Sequence, residues 1–362
     1  MSIVLDGTTG ITTPTTNGTA EHVTSVTGFK NRIINGGMVI DQRNAGASVT
    51  PSGQYTLDRW IASQSVASKY SVQQNAGAVT PPVGFSNYLG ITSLSAYSIL
   101  TGDYYIIRQS IEGFNFADMA WGTTSAAAVT LSFKVYSSLT GTFGGSLANN
   151  AQNRNYPFTY SIPVANTWTT ISVTIAGDTT GTWLTTNGCG LQLNFGLGVG
   201  ATYSGTAGSW NTGNYFSATG AVSVVGTSGA TFYITGVQLE KGSVATSFDY
   251  RPYSTELSLC QRYYWQQTNV IFTTGFYRAG NTSLENNKKI LPVPMRITPN
   301  CTAASPTGTG YTNGTSVSLT SITSAAADDN TQINLVIVTS ASTQGLPGWF
   351  NLTSTLTASA EL

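Results

Sequence analysis

Apolar residues recur at every second position through most of this chain, and this period limits the folds available to it. Val129, Leu131 and Phe133 alternate with polar residues, and residues 171–175 repeat the spacing. Such alternation places one face of a β-strand in a core and the other face in water. Because no segment of helical period separates these strands, the pattern predicts an antiparallel β-sandwich over residues 29–252.

One strand of this region changes phase within its length. Phe232 and Ile234 are in register with each other, whereas Val237 and Leu239 are displaced by one residue. Gly236 stands at the point of the slip, and a β-bulge there restores the apolar side chains to one face. The sequence therefore predicts a bulge at Gly236.

Charge is scarce along the whole chain. Only 8% of the 362 residues are charged, with Lys plus Arg and Asp plus Glu both 15, against about 25% in ordinary domains. A neutral chain offers no electrostatic surface for nucleic acid or for a membrane. The first residues lack the basic start and apolar run of a signal peptide, so we expect synthesis in a cytoplasm and no membrane insertion. Low charge also favours a homo-oligomer.

Changes in pattern divide the chain into four parts. Residues 1–28 form a Thr- and Gly-rich leader with too few apolar side chains for a core. This leader is predicted either as a flexible tail or as an extended arm that orders on another subunit. Residues 29–252 form the sandwich, residues 253–267 a linker helix, and residues 268–362 a small C-terminal β-domain.

The linker helix is predicted over 255–266. Ser254 or Thr255 offers a hydroxyl that can cap its first turn. Within the C-terminal domain, Pro292 and Pro294 assign the strand around them to a sheet edge. The apolar side chains on one face of the helix are Leu257, Cys260 and Tyr264.

Residues for nucleophilic or metal chemistry are few. The single histidine, His22, lies in the leader, which argues against a Ser-His-Asp or Cys-His arrangement in a folded domain. Cys189, Cys260 and Cys301 are far apart and odd in number, so they predict buried free thiols rather than a zinc site or a disulfide framework. We therefore expect no catalytic residues, no metal and no cofactor.

Two further groups of charged residues bear on chemistry. Glu112 and Asp118 are the pair that glycoside hydrolysis would need, although carboxylates in such a loop are more often turn residues. Asp58 and Arg59, beside Trp60, are typical of a core anchor flanked by a hydrogen-bonded ion pair. Calcium ligands from distant strands, with Asp41 and Glu240 as conceivable members, have no local motif to support them.

Several segments resemble those of bacteriophage tail-fibre and appendage proteins. Residues 31–38 and 56–60 resemble the start of their jelly-roll domain, residues 236–264 its end, and residues 292–299 and 360–362 their C-terminal module. The resemblance implies a jelly roll similar to carbohydrate-binding modules. It also implies a protein on the exterior of a phage particle, made in the host cytoplasm and assembled with other virion proteins. Low charge, alternating strands with Thr and Ser on their outer faces and a fibre-like order of domains suggest that the protein is a homotrimer.

Aromatic residues in polar loops form the candidate binding site. Flat rings stack on sugars, and small polar side chains beside them bond to hydroxyl groups. The alternative is that these rings pack loops onto the sandwich or lie at a subunit interface. The candidate glycan-binding residues are Tyr203, Trp210, Tyr215, Trp121 and Trp183.

These observations favour a non-enzymatic virion structural protein, a tail-fibre or appendage subunit that recognises host-surface glycans. An alternative keeps the architecture but places the protein on the capsid, as a decoration or head-fibre subunit that stabilises the shell. A glycan-cleaving depolymerase is the remote alternative, because no repeat of the kind that builds a long β-helix is visible.

Overall fold

A computed structural model describes residues 4–6, 10–12, 29–277, 283–303, 307–312, 315–327, 329–339 and 347–362. The chain divides into two compact units, Met1–Lys30 and Asn31–Leu362. In the first unit, Val4–Asp6 (β1) pairs antiparallel with Gly10–Thr12 (β2). Most of the leader, and with it the predicted arm, lies outside the described residues.

The second unit begins with the strands of the sandwich, together with two short strands that pair parallel with each other. They are Gln54–Leu57 (β3), Trp60–Gln64 (β4), Tyr70–Gln74 (β5), Leu89–Ser93 (β6), Tyr104–Glu112 (β7), Val129–Ser137 (β8), Gly141–Ala148 (β9), Asn155–Ile162 (β10), Thr169–Ile175 (β11), Cys189–Val199 (β12), Ser204–Gly205 (β13), Ser217–Ala218 (β14) and Thr231–Lys241 (β15).

A helix and further strands complete the chain. They are Tyr253–Gln261 (α1), Tyr264–Gln267 (β16), Val270–Tyr277 (β17), Ser283–Ile290 (β18), Asn300–Ala303 (β19), Gly308–Thr312 (β20), Thr315–Ala327 (β21), Gln332–Thr339 (β22), Pro347–Leu352 (β23) and Leu356–Ser359 (β24).

Two antiparallel sheets form the sandwich, as the alternating pattern predicted. The six-stranded sheet has the order β10-β9-β12-β7-β4-β3, and the five-stranded sheet has the order β11-β8-β15-β6-β5. Strands distant in sequence are neighbours in both sheets, as in a jelly roll. Side chains from their inner faces, including Phe133, Phe195 and Phe232, form one continuous core. The all-β fold with one short helix is confirmed.

The bulge predicted at Gly236 is present in β15. The pairing of β15 with β8 shifts between Thr235 and Gln238. Gly236 has φ of +62°, and a Cβ at this position would lie 2.7 Å from Cζ of Phe85. Both the left-handed backbone and the close approach of Phe85 therefore require glycine.

Helix α1 is shorter than predicted and begins differently. It starts at Tyr253 and follows Pro252, and neither Ser254 nor Thr255 caps it through a side chain. Because Glu256 is buried in the first turn and accepts hydrogen bonds from the Asn35 backbone N–H and from Arg251, the start of the helix is held by packing instead.

The end of α1 is set by the strand that follows. Residues 264–267, assigned to the helix from the sequence, form β16 and pair with β24. Consequently Tyr263, rather than Tyr264, joins Cys260 and Leu257 in the apolar cluster beside the helix. Cys260 is fully buried as predicted, and so is Cys189, whereas Cys301 is half-buried.

The C-terminal region contains a three-stranded sheet of order β16-β24-β19 and six strands, β17-β18-β22-β21-β20-β23, that close on themselves. The edge strand predicted around Pro292 and Pro294 is absent, since β18 ends at Ile290. The residues after it turn inward instead. Leu291 and Met295 are buried, and their N–H groups donate to the carbonyls of Thr331 and Asn330.

Buried charges connect the end of the chain to the sandwich. Glu361 bonds to both Arg43 and Arg59, and Arg59 is 1% exposed. Burial opposes the Arg59 charge, but the Glu361 carboxylate together with Tyr263 and Tyr55 raises the pKa of Arg59 above its ordinary value. A second carboxylate, Glu112 of β7, accepts two hydrogen bonds from Arg262. We call this set of contacts the ionic joint.

The structure corrects the predicted Asp58–Arg59 pair, because Arg59 belongs to the ionic joint. Arg59 has φ of +70° at the tight turn between β3 and β4, and its guanidinium extends to Glu361 instead of its neighbour. The Asp58 carboxylate accepts hydrogen bonds from the backbone and side chain of Gln42, and burial raises its pKa to about 6. Trp60 is a core anchor as predicted, fully buried with its indole N–H bonded to the Asn35 carbonyl.

We predict that Glu361→Gln lowers the free energy of unfolding by about 2–4 kcal/mol, because it leaves the buried Arg59 cation without a counter-charge. Urea denaturation measures the change. Asp118→Asn is the matched control, since Asp118 also contacts two basic groups, Arg32 and Lys241, but in solvent. Its effect is expected to stay below about 1 kcal/mol. Equal effects of the two substitutions would contradict the role of the ionic joint.

Candidate functional site

The candidate glycan-binding residues separate into two groups in the structure. Trp121, Trp183 and Trp210 meet in one cluster, which also includes Phe116. Tyr203 contacts other rings beside the six-stranded sheet. The five residues therefore do not form a single surface.

The tryptophan cluster consists of rings that pack edge to face. Trp121 lies 4.8 Å from Trp183 and 5.0 Å from Trp210 between ring centroids. Trp121 and Trp183 are 6% and 8% exposed, and Trp210 is half-buried. The indole N–H groups donate to backbone carbonyls of Ala127, Thr180 and Ala176, respectively. The cluster therefore holds the loops that carry these three tryptophans against the sandwich.

Tyr215 occupies a different place from the other candidates. Its backbone N–H bonds to the Asn155 side chain, and its half-buried ring covers two glycines. A Cβ on Gly205 or Gly213 would lie 2.4 Å or 2.2 Å from that ring. The ring therefore shapes the loop that carries Tyr203 and Trp210.

The second aromatic group lies on the outer face of the six-stranded sheet. Tyr105 and Ile107 of β7 point into the core, so Tyr104 and Arg108 point outward by strand alternation. The loop carrying β13 and β14 lies beside them. Within it, Tyr203 stacks on Phe216 with centroids 5.1 Å apart and planes at 15°.

Tyr104 and Arg108 connect this stack to the strand. Tyr104 meets Tyr203 and Phe216 edge to face at 5.4 and 5.1 Å. The Arg108 guanidinium lies 5.2 Å from the Phe216 ring, and its Nε donates to Oδ1 of Asn194 at 2.6 Å. Burial lowers the pKa of Arg108. We call these residues the Arg108 surface: Tyr104, Arg108, Asn194, Tyr203 and Phe216.

The Arg108 surface combines the features that recognise sugars. Tyr104 and Tyr203 are half-buried, and Asn194 is fully buried below Arg108. Half-buried rings offer an apolar face, and the guanidinium is a rigid fork of hydrogen-bond donors. Sequence reasoning found Tyr203 from its loop but missed the other four residues. Alternation in β7 places Tyr104 and Arg108 outward, yet nothing local links that strand to Asn194 or to a loop about 100 residues later.

The carboxylates that hydrolysis would require are engaged separately. Glu112 is 1% exposed, and its oxygens accept hydrogen bonds from Arg262 and from the Tyr263 hydroxyl. Asp118 is exposed and pairs with Arg32 and Lys241. Glu112 is therefore engaged in the interior, whereas Asp118 is engaged at the surface.

The conceivable calcium ligands also have separate structural partners. Asp41 accepts hydrogen bonds from the backbone N–H groups of Asn44 and Gly46. Glu240 accepts from the Gln238 side chain and from both the backbone and the hydroxyl of Thr246. In the part of the chain that the structure describes, no three His, Cys, Asp or Glu side chains gather as a metal site would need.

A small cavity lies beside helix α1. Its volume is about 110 Å³, and Phe85, Phe248 and Tyr250 form its aromatic wall above Arg251 and Glu256. Ligand pockets usually enclose about 300–1,000 Å³. The cavity is thus too small for a sugar chain, and the Arg108 surface is the better candidate. None of the described helices is long and apolar enough to cross a bilayer.

No protein-family model matches the chain, and no curated protein matches it. Among solved structures, it is similar to the enzymatically active domain of tailspike protein 4 of bacteriophage CBA120, with 14% identity and a TM-score of 0.33. That match covers 59% of this chain and 21% of the tailspike chain.

Two carbohydrate-binding proteins are also similar in structure. A putative sugar-binding protein from Bacteroides thetaiotaomicron has 14% identity and a TM-score of 0.33, over 58% of this chain and 99% of that one. A family 11 carbohydrate-binding module from Clostridium thermocellum, solved with a mixed-linked tetrasaccharide, has 12% identity and a TM-score of 0.29. It is matched over 55% of this chain and 98% of its own.

We predict that Trp210→Ala lowers the free energy of unfolding by about 2–3 kcal/mol, because it removes edge-to-face contacts and a hydrogen bond from a half-buried ring. Trp210→Phe keeps much of the ring contact and should lose about half as much. Thermal and urea unfolding measure both variants. If Trp210→Ala leaves the stability unchanged, the ring does not contribute to packing and is again a candidate for glycan binding.

Proposed function

We propose that this chain is a non-enzymatic glycan-binding protein on the exterior of a phage particle, and that it contacts glycans through the Arg108 surface. The observation that carries the proposal is the position of Tyr104 and Tyr203. Both rings remain half-buried while the residues around them are held by buried contacts. A rigid aromatic face beside polar donors binds a sugar ring with little loss of conformational entropy.

Binding is favoured over cleavage by the state of the carboxylates. Glycoside hydrolysis uses two carboxyl groups about 5–9.5 Å apart on either side of the scissile bond. Glu112 is saturated by Arg262 and Tyr263, and Asp118 is an exposed partner of basic side chains. Neither carboxylate belongs to the Arg108 surface. The depolymerase alternative therefore gains no support from this region.

The phage setting of the proposal is supported by the segments that resemble tail-fibre and appendage proteins. A subunit of such a structure is expected to form a homotrimer with its leader attached to another virion protein. Three copies of a weak site on one particle raise the effective affinity through avidity. An individual Arg108 surface is therefore expected to bind a glycan weakly.

The location on the particle separates a tail-fibre subunit from a capsid decoration protein. We expect immunogold labelling of intact particles with an antibody against this chain to mark the tail or its appendages. Labels over the head would instead support the capsid alternative. Unlabelled particles, with the protein present only in the lysate, would contradict a virion role altogether.

The glycan contact is tested with Tyr203→Ala on an array of bacterial surface polysaccharides. Loss of one stacking ring is expected to weaken binding about fivefold, equivalent to about 1 kcal/mol. Tyr136→Ala is the matched control, because the half-buried Tyr136 ring stacks on Tyr233 at 5.4 Å and 7° on the opposite sheet. Equal binding by both variants, or no binding by the parent protein, would reject the proposed surface.

A further inference from the structure

Arg108 is distinguished from the other described arginines because its guanidinium has neither a compensating anion nor a set of backbone carbonyls as partners. In the part of the chain that the structure describes, no carboxylate lies within ion-pair distance of its guanidinium. Arg296, which also lacks a carboxylate, donates to three backbone carbonyls. The other arginines whose side chains are described form ion pairs: Arg32, Arg43, Arg59, Arg154, Arg251 and Arg262.

The guanidinium of Arg108 is held in one orientation by the sheet below it. Its Nε donates to Oδ1 of Asn194, whose Nδ2 in turn donates to Oγ of Ser146 at 3.0 Å. Asn194 and Ser146 are fully buried. This chain of hydrogen bonds fixes the Asn194 amide. The side of the Arg108 guanidinium that carries Nε is therefore occupied by a contact within the protein.

The other side of the guanidinium remains available. Neither Nη nitrogen belongs to the buried polar atoms without a partner, and neither donates a hydrogen bond to a described residue. Both therefore retain contact with solvent while the rest of the side chain is half-buried. Two parallel N–H groups at the free end of an arginine match the two oxygens of an anionic group.

The surroundings favour an anion over a neutral hydroxyl group. A partly desolvated cation without a counter-charge is costly to bury, and an anionic ligand restores the missing interaction. The Phe216 ring packs 5.2 Å from the guanidinium and cannot supply that charge. Tyr104 and Tyr203 lie next to the same ring, so a sugar that stacks on them brings its substituents close to Arg108.

From this geometry we propose that Arg108 binds the acidic group of a sugar, a carboxylate or a phosphate ester, while the neighbouring tyrosines contact the sugar ring. This inference rests on the proposed function and adds to it the chemical class of the ligand: acidic polysaccharide. The guanidinium is the residue that distinguishes acidic from neutral glycans at this surface.

Affinity electrophoresis with paired polysaccharides tests the inference. Polygalacturonate is compared with its methyl ester, and phosphomannan with unphosphorylated mannan. The first pair differs in a carboxylate and the second in a phosphate, so the two arms identify the acidic group. We expect at least one acidic polymer to bind about 10- to 100-fold more tightly than its neutral partner, as charge-assisted hydrogen bonds require.

Substitution of Arg108 assigns this preference to one side chain. Arg108→Met should abolish the preference for the acidic polymer, whereas Arg108→Lys, which keeps the charge but loses the fork, should retain part of it. Lys134→Met removes one cation from the outer face of the opposite sheet and should leave binding unchanged. Unfolding curves establish that each variant is folded, and Arg108→Lys serves as the test if Arg108→Met is not.

The outcomes show whether this inference fails alone or together with the proposed function. Equal binding of acidic and neutral partners, or an acidic preference that survives Arg108→Met, overturns the role of Arg108 and leaves glycan binding intact. Failure of both acidic polymers to bind, while the array yields a neutral ligand, also overturns it. If the array yields no ligand, the proposed function and the inference are both rejected.

Discussion

The pairing of two carboxylates with arginines from distant parts of the chain is the interaction on which the rest of the structure depends. Glu361 joins Arg43 and Arg59, and Glu112 joins Arg262. A chain with so few charges places several of them where water is excluded. Removing one partner of such a pair is far more costly than replacing both partners by apolar residues, because the charge that remains is buried without a counter-charge. The joint therefore locks the end of the chain against the sandwich in one arrangement.

Three of the five residues of this joint lie in the segments that resemble phage proteins. Arg59 lies in 56–60, Arg262 in 236–264 and Glu361 in 360–362. The Arg108 surface lies outside all of them, on β7, β12 and the loop that carries β13 and β14. The structure thus separates a frame, the sandwich held by the joint, from the proposed recognition surface. Side chains on the outer face of the sheet can vary without disturbing the joint, since Glu112 is the only residue of β7 that belongs to the joint.

The aromatic residues of the sandwich divide in the same way between frame and surface. Trp121 and Trp183 direct their N–H groups to backbone carbonyls and exclude water from the cluster. Tyr104 and Tyr203 keep part of each ring in contact with solvent. Composition does not distinguish these roles, because both groups consist of aromatic side chains. Burial distinguishes them.

The sequence by itself determined the sandwich, the bulge at Gly236 and the burial of Trp60, because strand period, glycine conformation and side-chain volume act over a few residues. Only the tertiary structure decides which residues pair when they are distant in sequence. Arg59 stands beside Asp58 yet pairs with Glu361, 302 residues away, and Arg108 meets the loop of Tyr203 only because β7 and that loop share a sheet face. Long-range pairing depends on strand order, which local periodicity does not encode.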